Sequence, residues 1–227
     1  MAEINSGKNV IQQVIDEKDS ERLQAIALHD YVRDQVKFGF NQYFDASPPS
    51  YTIAFGYGHC NPKSHLMVAL FQQAGLEAYQ HFVVIPKEIL KGAIPPSRYW
   101  MIPSELSHSY VEVKINGKWL NIDSFIVDTP LLEGAKTKLA QEGLPIGYGV
   151  RHDSINTWNG EDHAFSQFDD RFLIEDHGRV EDMESYFESD NYRNVVFGLR
   201  FNTMFQWMGE NGVKPMNDHI EMIRRSS

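Results

Sequence analysis

"HSYVEVKINGKWLNIDSF", residues 108–125, alternates polar and apolar side chains on either side of Asn116-Gly117. A period of two marks a half-buried strand. Asn-Gly is the dipeptide preferred in two-residue type I′ turns, because both turn positions need positive φ. The stretch therefore predicts a hairpin whose loop sets its pairing: Ile115 opposite Lys118, Val113 opposite Leu120, Val111 opposite Ile122. That register gathers nearly all the aliphatic side chains on one face. The other face carries His108, Tyr110, Glu112 and Lys114 from the first strand and Trp119, Asn121, Asp123 and Phe125 from the second. With Tyr110 across from Asp123, His108 and Asp123 are diagonal neighbours about 7–8 Å apart at the backbone, and their tips can reach a hydrogen bond.

Upstream, EAYQHFVVIP (77–86) is rich in β-formers and ends at Pro86, which predicts a strand. Before it, GYGHCNPKSHLMVALFQQAG (56–75) has Pro62 where a first helical turn tolerates it, Leu66, Leu70 and Phe71 as an apolar stripe, and Gly75 as a stop. Cys60 thus stands at the mouth of a helix. A further helix is predicted over about residues 20–36, with Asp19 and Ser20 as candidate caps and Leu28, Tyr31, Val32 and Val36 at helical spacing. FGFNQYFDASPPSYTIAFGYG (38–58) reads as an aromatic connection between the two. Residues 87–106, with Pro95, Pro96, Pro103, Tyr99 and Trp100, read as a loop and candidate lid.

Downstream, PLLEGAKTKLAQEG predicts a short helix and EDMESYFESDNY the start of another, while GYGVRHDSINTWNGEDHAFSQF has no period. Phe197, Phe201, Met204, Phe205 and Met208 recur at helical spacing and predict a terminal helix packed on the core.

The 227 residues suffice for one large domain with a sizeable core. The formal charge of −10, with no basic cluster beyond Arg224 and Arg225, disfavours nucleic acid and anionic lipid as partners. The polar N-terminal stretch MAEINSGKNVIQQVIDEKDS lacks a secretory apolar run, and no segment is apolar enough to span a bilayer, which points to the cytoplasm. A single Cys excludes an internal disulfide and a Cys-x-x-Cys redox pair. His59, Cys60 and His65 lack a fourth ligand, so neither a metal nor a cofactor is expected. The remaining histidines, His29 among them, read as ordinary.

A thiol at a helix N-terminus meets unpaired N–H groups and the positive end of the dipole, both of which favour the thiolate. Alkylation of Cys60 at about pH 6 is accordingly expected to outpace that of an ordinary thiol of pKa about 8.5. With His108 close to Cys60 and Asp123 fixing the ring, the three residues make a Cys-His-Asp acyl-transfer site. The backbone N–H groups of Cys60 and His59 are its candidate oxyanion donors. Tyr57, Tyr110 and Trp100 are candidate substrate contacts. Asp123→Asn is expected to slow such a reaction with little loss of stability.

The order of these pieces resembles the transglutaminase-like superfamily of papain-type cysteine enzymes, over about residues 20–128. ALHDYVRDQVKFGF, GHCNPKSHLMVALFQQAGLEA, FVVI, HSYVEV and KWLNIDSF match the family's helix, nucleophile helix, strand and hairpin in turn. The whole chain is similar to a bacterial, uncharacterised branch, later stretches such as GYGVRHD and EDHAFSQF included. By motif position Cys60 corresponds to the nucleophile, His108 to the base and Asp123 to the acid. His59, Pro62 and Ser124 depart from the animal crosslinking enzymes, and there is no acidic calcium loop.

The resemblance implies an α+β, papain-like core, its nucleophile helix packed on an antiparallel sheet, with a mostly helical C-terminal part. The expected organisation is a single domain, 1–227, with a catalytic core at 20–128 and an extension at 129–227 packed on it. The expected activity is cysteine-dependent acyl transfer, as a hydrolase, an amidase or a transglutaminase-type transferase, on a small-molecule or peptide acyl substrate. An acyltransferase or cyclase acting on a carrier-bound thioester is one alternative, against which the acidic surface argues, since carrier proteins are themselves acidic. A non-catalytic binding module that keeps the fold is the other.

Overall fold

The computed structural model describes residues 10–16 and 19–226. The N-terminal residues used above to argue against a secretory signal lie largely outside them. Helix α1 (Glu21–Gln35) begins where Ser20 accepts a hydrogen bond from the Leu23 N–H, and it buries Ala25, Leu28, His29 and Val32. Helix α2 (Pro49–Phe55), with Pro49 in its first turn, ends at Gly56. It occupies part of the stretch read as an irregular aromatic connection. Helix α3 (Cys60–Gln73) follows, with His59 in extended conformation just before it.

Four strands form one antiparallel sheet: β1 (Ala78–Pro86), β2 (Glu105–Ile115), β3 (Lys118–Ile122) and β4 (Glu175–Val180), in the spatial order β3-β2-β1-β4. The hairpin pairs as its sequence predicts: Val111 with Ile122, Val113 with Leu120, Ile115 with Lys118. Asn116 and Gly117 take φ of 50° and 83°, as a type I′ turn requires. Val111, Val113, Ile115, Leu120 and Ile122 join the main core together with Leu66, Met67, Leu70 and Phe71 of α3. This layer of aliphatic side chains holds the helix that carries Cys60 against the sheet.

The pattern does not persist past Ile122. The N–H of Asp123 bonds to the Ala164 carbonyl and that of Ile126 to the Asp123 carbonyl, so the chain turns away from the ladder. Phe125, placed by alternation on the polar face, is instead fully buried in the main core. Strand β2 starts at Glu105, inside the segment read as a loop, and β4 lies in a polar stretch with no strand signal. An edge strand has a solvent side and tolerates charges, which hides it from an apolar count.

Helix α4 (Thr129–Glu142), capped by Asp128, and helix α5 (Met183–Glu188), capped by Asp182, appear where sequence places them. Helix α6 (Phe201–Arg224) buries Phe201 and Phe205 and breaks locally at Gly209. Phe197, expected in this helix, sits in the preceding turn with φ of 50° and is 81% exposed. Helices α4 and α6 cross closely at Gly134, where an added Cβ would lie 2.0 Å from the Ile223 carbonyl oxygen. A buried ion pair seals the crossing: Arg224 donates to both carboxylate oxygens of Asp128, at 2.8 and 2.7 Å. Among the described residues, no helix is long and apolar enough to cross a membrane.

Candidate active site

Cys60 opens α3, so its backbone N–H has no acceptor within the helix. The residue is half-buried and lines a cavity of about 60 Å³ together with His59, His108, Gln167 and Asn194. His108 enters from β2, opposite Val83 of β1. It is 1% exposed, and its Nε2 meets Asp123 Oδ2 at 3.4 Å. The backbone N–H groups of Ser109, next to His108, and of Asn61 point at the Cys60 sulfur. Thiol, imidazole and carboxylate are therefore brought to one end of α3, although Asp123 stands past the end of the ladder and not across from Tyr110.

The acidity of the thiol runs against expectation. Burial pushes the Cys60 pKa up, and the nearby Asp45 carboxylate pushes the same way; the Ser109 and Asn61 N–H groups pull it down by less. A helix N-terminus lowers a thiol pKa through partial charges, but here an apolar cavity and a full negative charge outweigh them. Alkylation by iodoacetamide at pH 7 is therefore expected to be at least about tenfold slower than for an ordinary thiol of pKa about 8.5, with the rate still rising above pH 9. A rate that levels off near pH 6 would mean that the thiolate is stabilised after all.

Asp123 is fully buried and is held by a segment that has no helical or strand period in sequence. Its carboxylate accepts from the backbone N–H groups of Ser166, Gln167 (3.2 Å) and Phe168 (2.6 Å), and from the Ser166 hydroxyl at 3.1 Å. Residues 164–168 are anchored in turn by the Asp123 N–H bond to Ala164 and by Gln167 Nε2 donating to the Gly149 carbonyl at 2.6 Å. These donors leave an amide nowhere to point its NH2 group. Asp123→Asn is thus expected to cost about 3 kcal/mol of stability, rather than little, because it sets N–H against N–H and removes a charge that several donors face. Urea denaturation measures this; a loss below about 1 kcal/mol would contradict it.

Next to Asp123, the Ser124 hydroxyl meets His29 Nε2 at 2.8 Å, while His29 Nδ1 faces Asp30 at 2.9 Å. His29 is fully buried, and burial lowers its pKa. Read from sequence as ordinary, it braces the turn that presents Asp123.

A second buried His–Asp pair flanks the thiol. His59 Nε2 meets Asp45 Oδ1 at 2.6 Å, and Asp45, 1% exposed, also accepts from Asn61 (2.7 Å), Tyr192 (2.5 Å) and Asn194 (2.7 Å). The His59 ring lies among Phe40 and Phe44, its Nδ1 buried without a hydrogen-bond partner. Sequence reasoning used only the His59 backbone. Asp45 lies 14 residues away in an aromatic loop, and Tyr192 and Asn194 near the C-terminal end, so no local spacing connects them.

The three proposed substrate contacts do not line the cavity. Tyr57 turns its hydroxyl to Glu221 at 3.0 Å, and Tyr110 stacks on His81 in a separate apolar cluster. Trp100 is 66% exposed and donates to the Ser97 carbonyl. Tyr110 shares a sheet face with His108 but stands one strand pair further along, where Phe165 and Phe168 cover it. The neighbouring turns of the same segment do contribute: Ile89, Leu90, Ile94 and Ile102 wall the cavity.

Residues 8–124, just over half of the chain, match the transglutaminase-like superfamily core. The chain belongs to the transglutaminase-like superfamily. Among solved structures it is similar to a candidate cysteine protease from Cytophaga hutchinsonii, with 17% identity and a TM-score of 0.39 over 52% of this chain. This chain spans 36% of that protein's length. No curated protein matches it.

Proposed function

We propose that the protein is a cysteine-dependent acyl-transfer enzyme in which Cys60 is the nucleophile, His108 the general base and acid, and Asp123 the group that orients and charges-balances the imidazole. The observation that carries this reading is the sharing of one cavity by Cys60 and His108, while a fully buried Asp123 holds His108 Nε2.

With Nε2 turned to Asp123, Nδ1 is the ring nitrogen left for the thiol proton. Because burial keeps the thiol protonated, proton transfer to His108 accompanies attack instead of preceding it. The sulfur adds to the acyl carbonyl carbon, and the backbone N–H of Cys60 takes the oxyanion. Collapse breaks the bond to the leaving group, which takes the proton from His108 and departs, leaving a thioester on Cys60. Water or an amine then gives a proton to His108 and attacks the thioester, and the returning proton restores the thiol. Hydrolysis and transfer share every step except the identity of this last nucleophile.

The chain acts as one domain in this scheme, since residues 166–168 of the C-terminal part hold the acid presented by the core. Intact mass spectrometry after incubation with activated amides, esters and thioesters tests the reading. One acyl group per chain, located at Cys60, is expected. Absence of any adduct across the panel would refute it and leave a binding module.

A further inference from the structure

The cavity beside Cys60 has a lining of unusual uniformity for a site next to a nucleophile. Its walls come from Phe40, Phe44, Ile94, Leu106, Phe205 and Met216 with their apolar neighbours, and among the described residues no Lys, Arg, Asp or Glu reaches it. Of the polar residues that do, His59 and His108 stand at the sulfur end, the buried His59 Nδ1 lacking a hydrogen-bond partner, and the others are engaged within the protein. Asn194 bridges the Ser107 N–H and carbonyl to Asp45, and Gln167 holds the Gly149 carbonyl. A charged or strongly hydrogen-bonding group placed here would lose its water and find little in return. A hydrocarbon group would find contact on all sides.

The volume limits the occupant. A water-sized sphere needs about 10–15 Å³ by this measure, so about 60 Å³ holds roughly four to six non-hydrogen atoms.

We propose that this cavity is the acyl pocket, and that the acyl group transferred by Cys60 is an uncharged straight-chain hydrocarbon of about four to six carbons. The inference rests on the reading of Cys60 as nucleophile and adds the class of substrate. The carbonyl carbon sits at the sulfur, at the cavity's polar end between His59 and His108, and the hydrocarbon tail extends along the aliphatic wall formed by the turns between β1 and β2.

The test uses the intact protein and a series of p-nitrophenyl esters: acetate, butanoate, hexanoate and hemisuccinate. In each, sulfur attack forms the C–S bond, breaks the ester C–O bond and releases p-nitrophenolate, while the thiol proton passes to His108 and then to solvent. The released phenolate gives the acylation rate, and intact mass gives the adduct. Each added methylene is expected to raise the rate by up to about fourfold as far as the hexanoyl chain. The succinyl ester, close to butanoyl in length but anionic, is expected to react at least about a hundredfold more slowly than butanoyl, because its charge would have to be buried.

Ile102→Trp, at a half-buried position of the wall, should cut the hexanoyl-to-acetyl rate ratio at least about tenfold by filling the cavity. Acetyl or succinyl transfer to Cys60 as fast as hexanoyl would overturn the pocket assignment and leave the nucleophile standing. An unchanged ratio in Ile102→Trp would also overturn it. Failure of every ester to acylate Cys60 would remove the nucleophile and this inference together.

Discussion

A Cys60→Ala chain is expected to form no acyl adduct and to lose turnover by at least about 10⁴-fold, while its unfolding curve stays close to that of the parent. The first part follows from chemistry: without sulfur the pathway has no covalent intermediate, and the remaining backbone donors and the cavity supply only binding and oxyanion stabilisation. The second follows from packing. Cys60 is half-buried at a helix start, and the main core is built by Leu66, Met67, Leu70 and Phe71, a turn or more further along α3. Removing one sulfur atom at the cavity wall enlarges an existing space and opens no new one. Intact mass with the butanoate or hexanoate ester reads the first effect and urea denaturation the second. Undiminished activity in Cys60→Ala would end the nucleophile assignment.

The second large effect concerns Lys63, three residues along the same helix. Its ammonium end is fully buried and donates to the Val36 carbonyl at the end of α1. Burial lowers its pKa from 10.5 to about 7, against the attraction of Asp128 and with the repulsion of Arg224. Below pH 7 the side chain is protonated in both states; between about 7 and 10.5 only the unfolded chain holds the proton. Unfolding then binds a proton, so stability rises with pH across this window. The full difference between these two values corresponds to about 5 kcal/mol.

Lys63→Met, close in volume, is expected to add about 2 kcal/mol of stability at pH 6, the relief of a buried charge exceeding the loss of one hydrogen bond to Val36. By pH 10 the order should reverse, the variant being the less stable by about 2 kcal/mol, since the parent lysine is by then neutral in the folded state and keeps its hydrogen bond to Val36. Denaturation curves at pH 6 and 10 measure both. Parent and variant curves displaced equally at the two pH values would show that Lys63 does not titrate in this range.

The local elements and the hairpin register were legible because short-range physics sets them. Ser20 caps α1 through its own hydroxyl, Asn116-Gly117 fixes the loop, and period-two alternation decides which face of β2 and β3 meets the core. The register places His108 on the polar face, and Pro62 and Gly75 mark the helix that Cys60 opens, whereas Asp123 lies past the last ladder pair and reaches His108 from a turn. Phe125 and Phe197 were misplaced where periodicity was carried past the point at which the chain leaves its element. The aromatic substrate contacts failed for another reason. Tyr57, Tyr110 and Trp100 are near the site along the chain or along a strand, but their orientation depends on partners, Glu221, His81 and Ser97, that no local pattern names.

Sequence by itself determined the helices other than α2, the hairpin, its pairing and the family, because each depends on residues within a few positions of one another or on motifs in order. Only the tertiary structure decided the environment of the sulfur. Burial and a distant Asp45 set its acidity, the N–H groups of residues 166–168 set the carboxylate beside His108, and turns between two strands shape an apolar cavity. Solvation and charge depend on what lies within a few ångströms in space, whatever the separation along the chain.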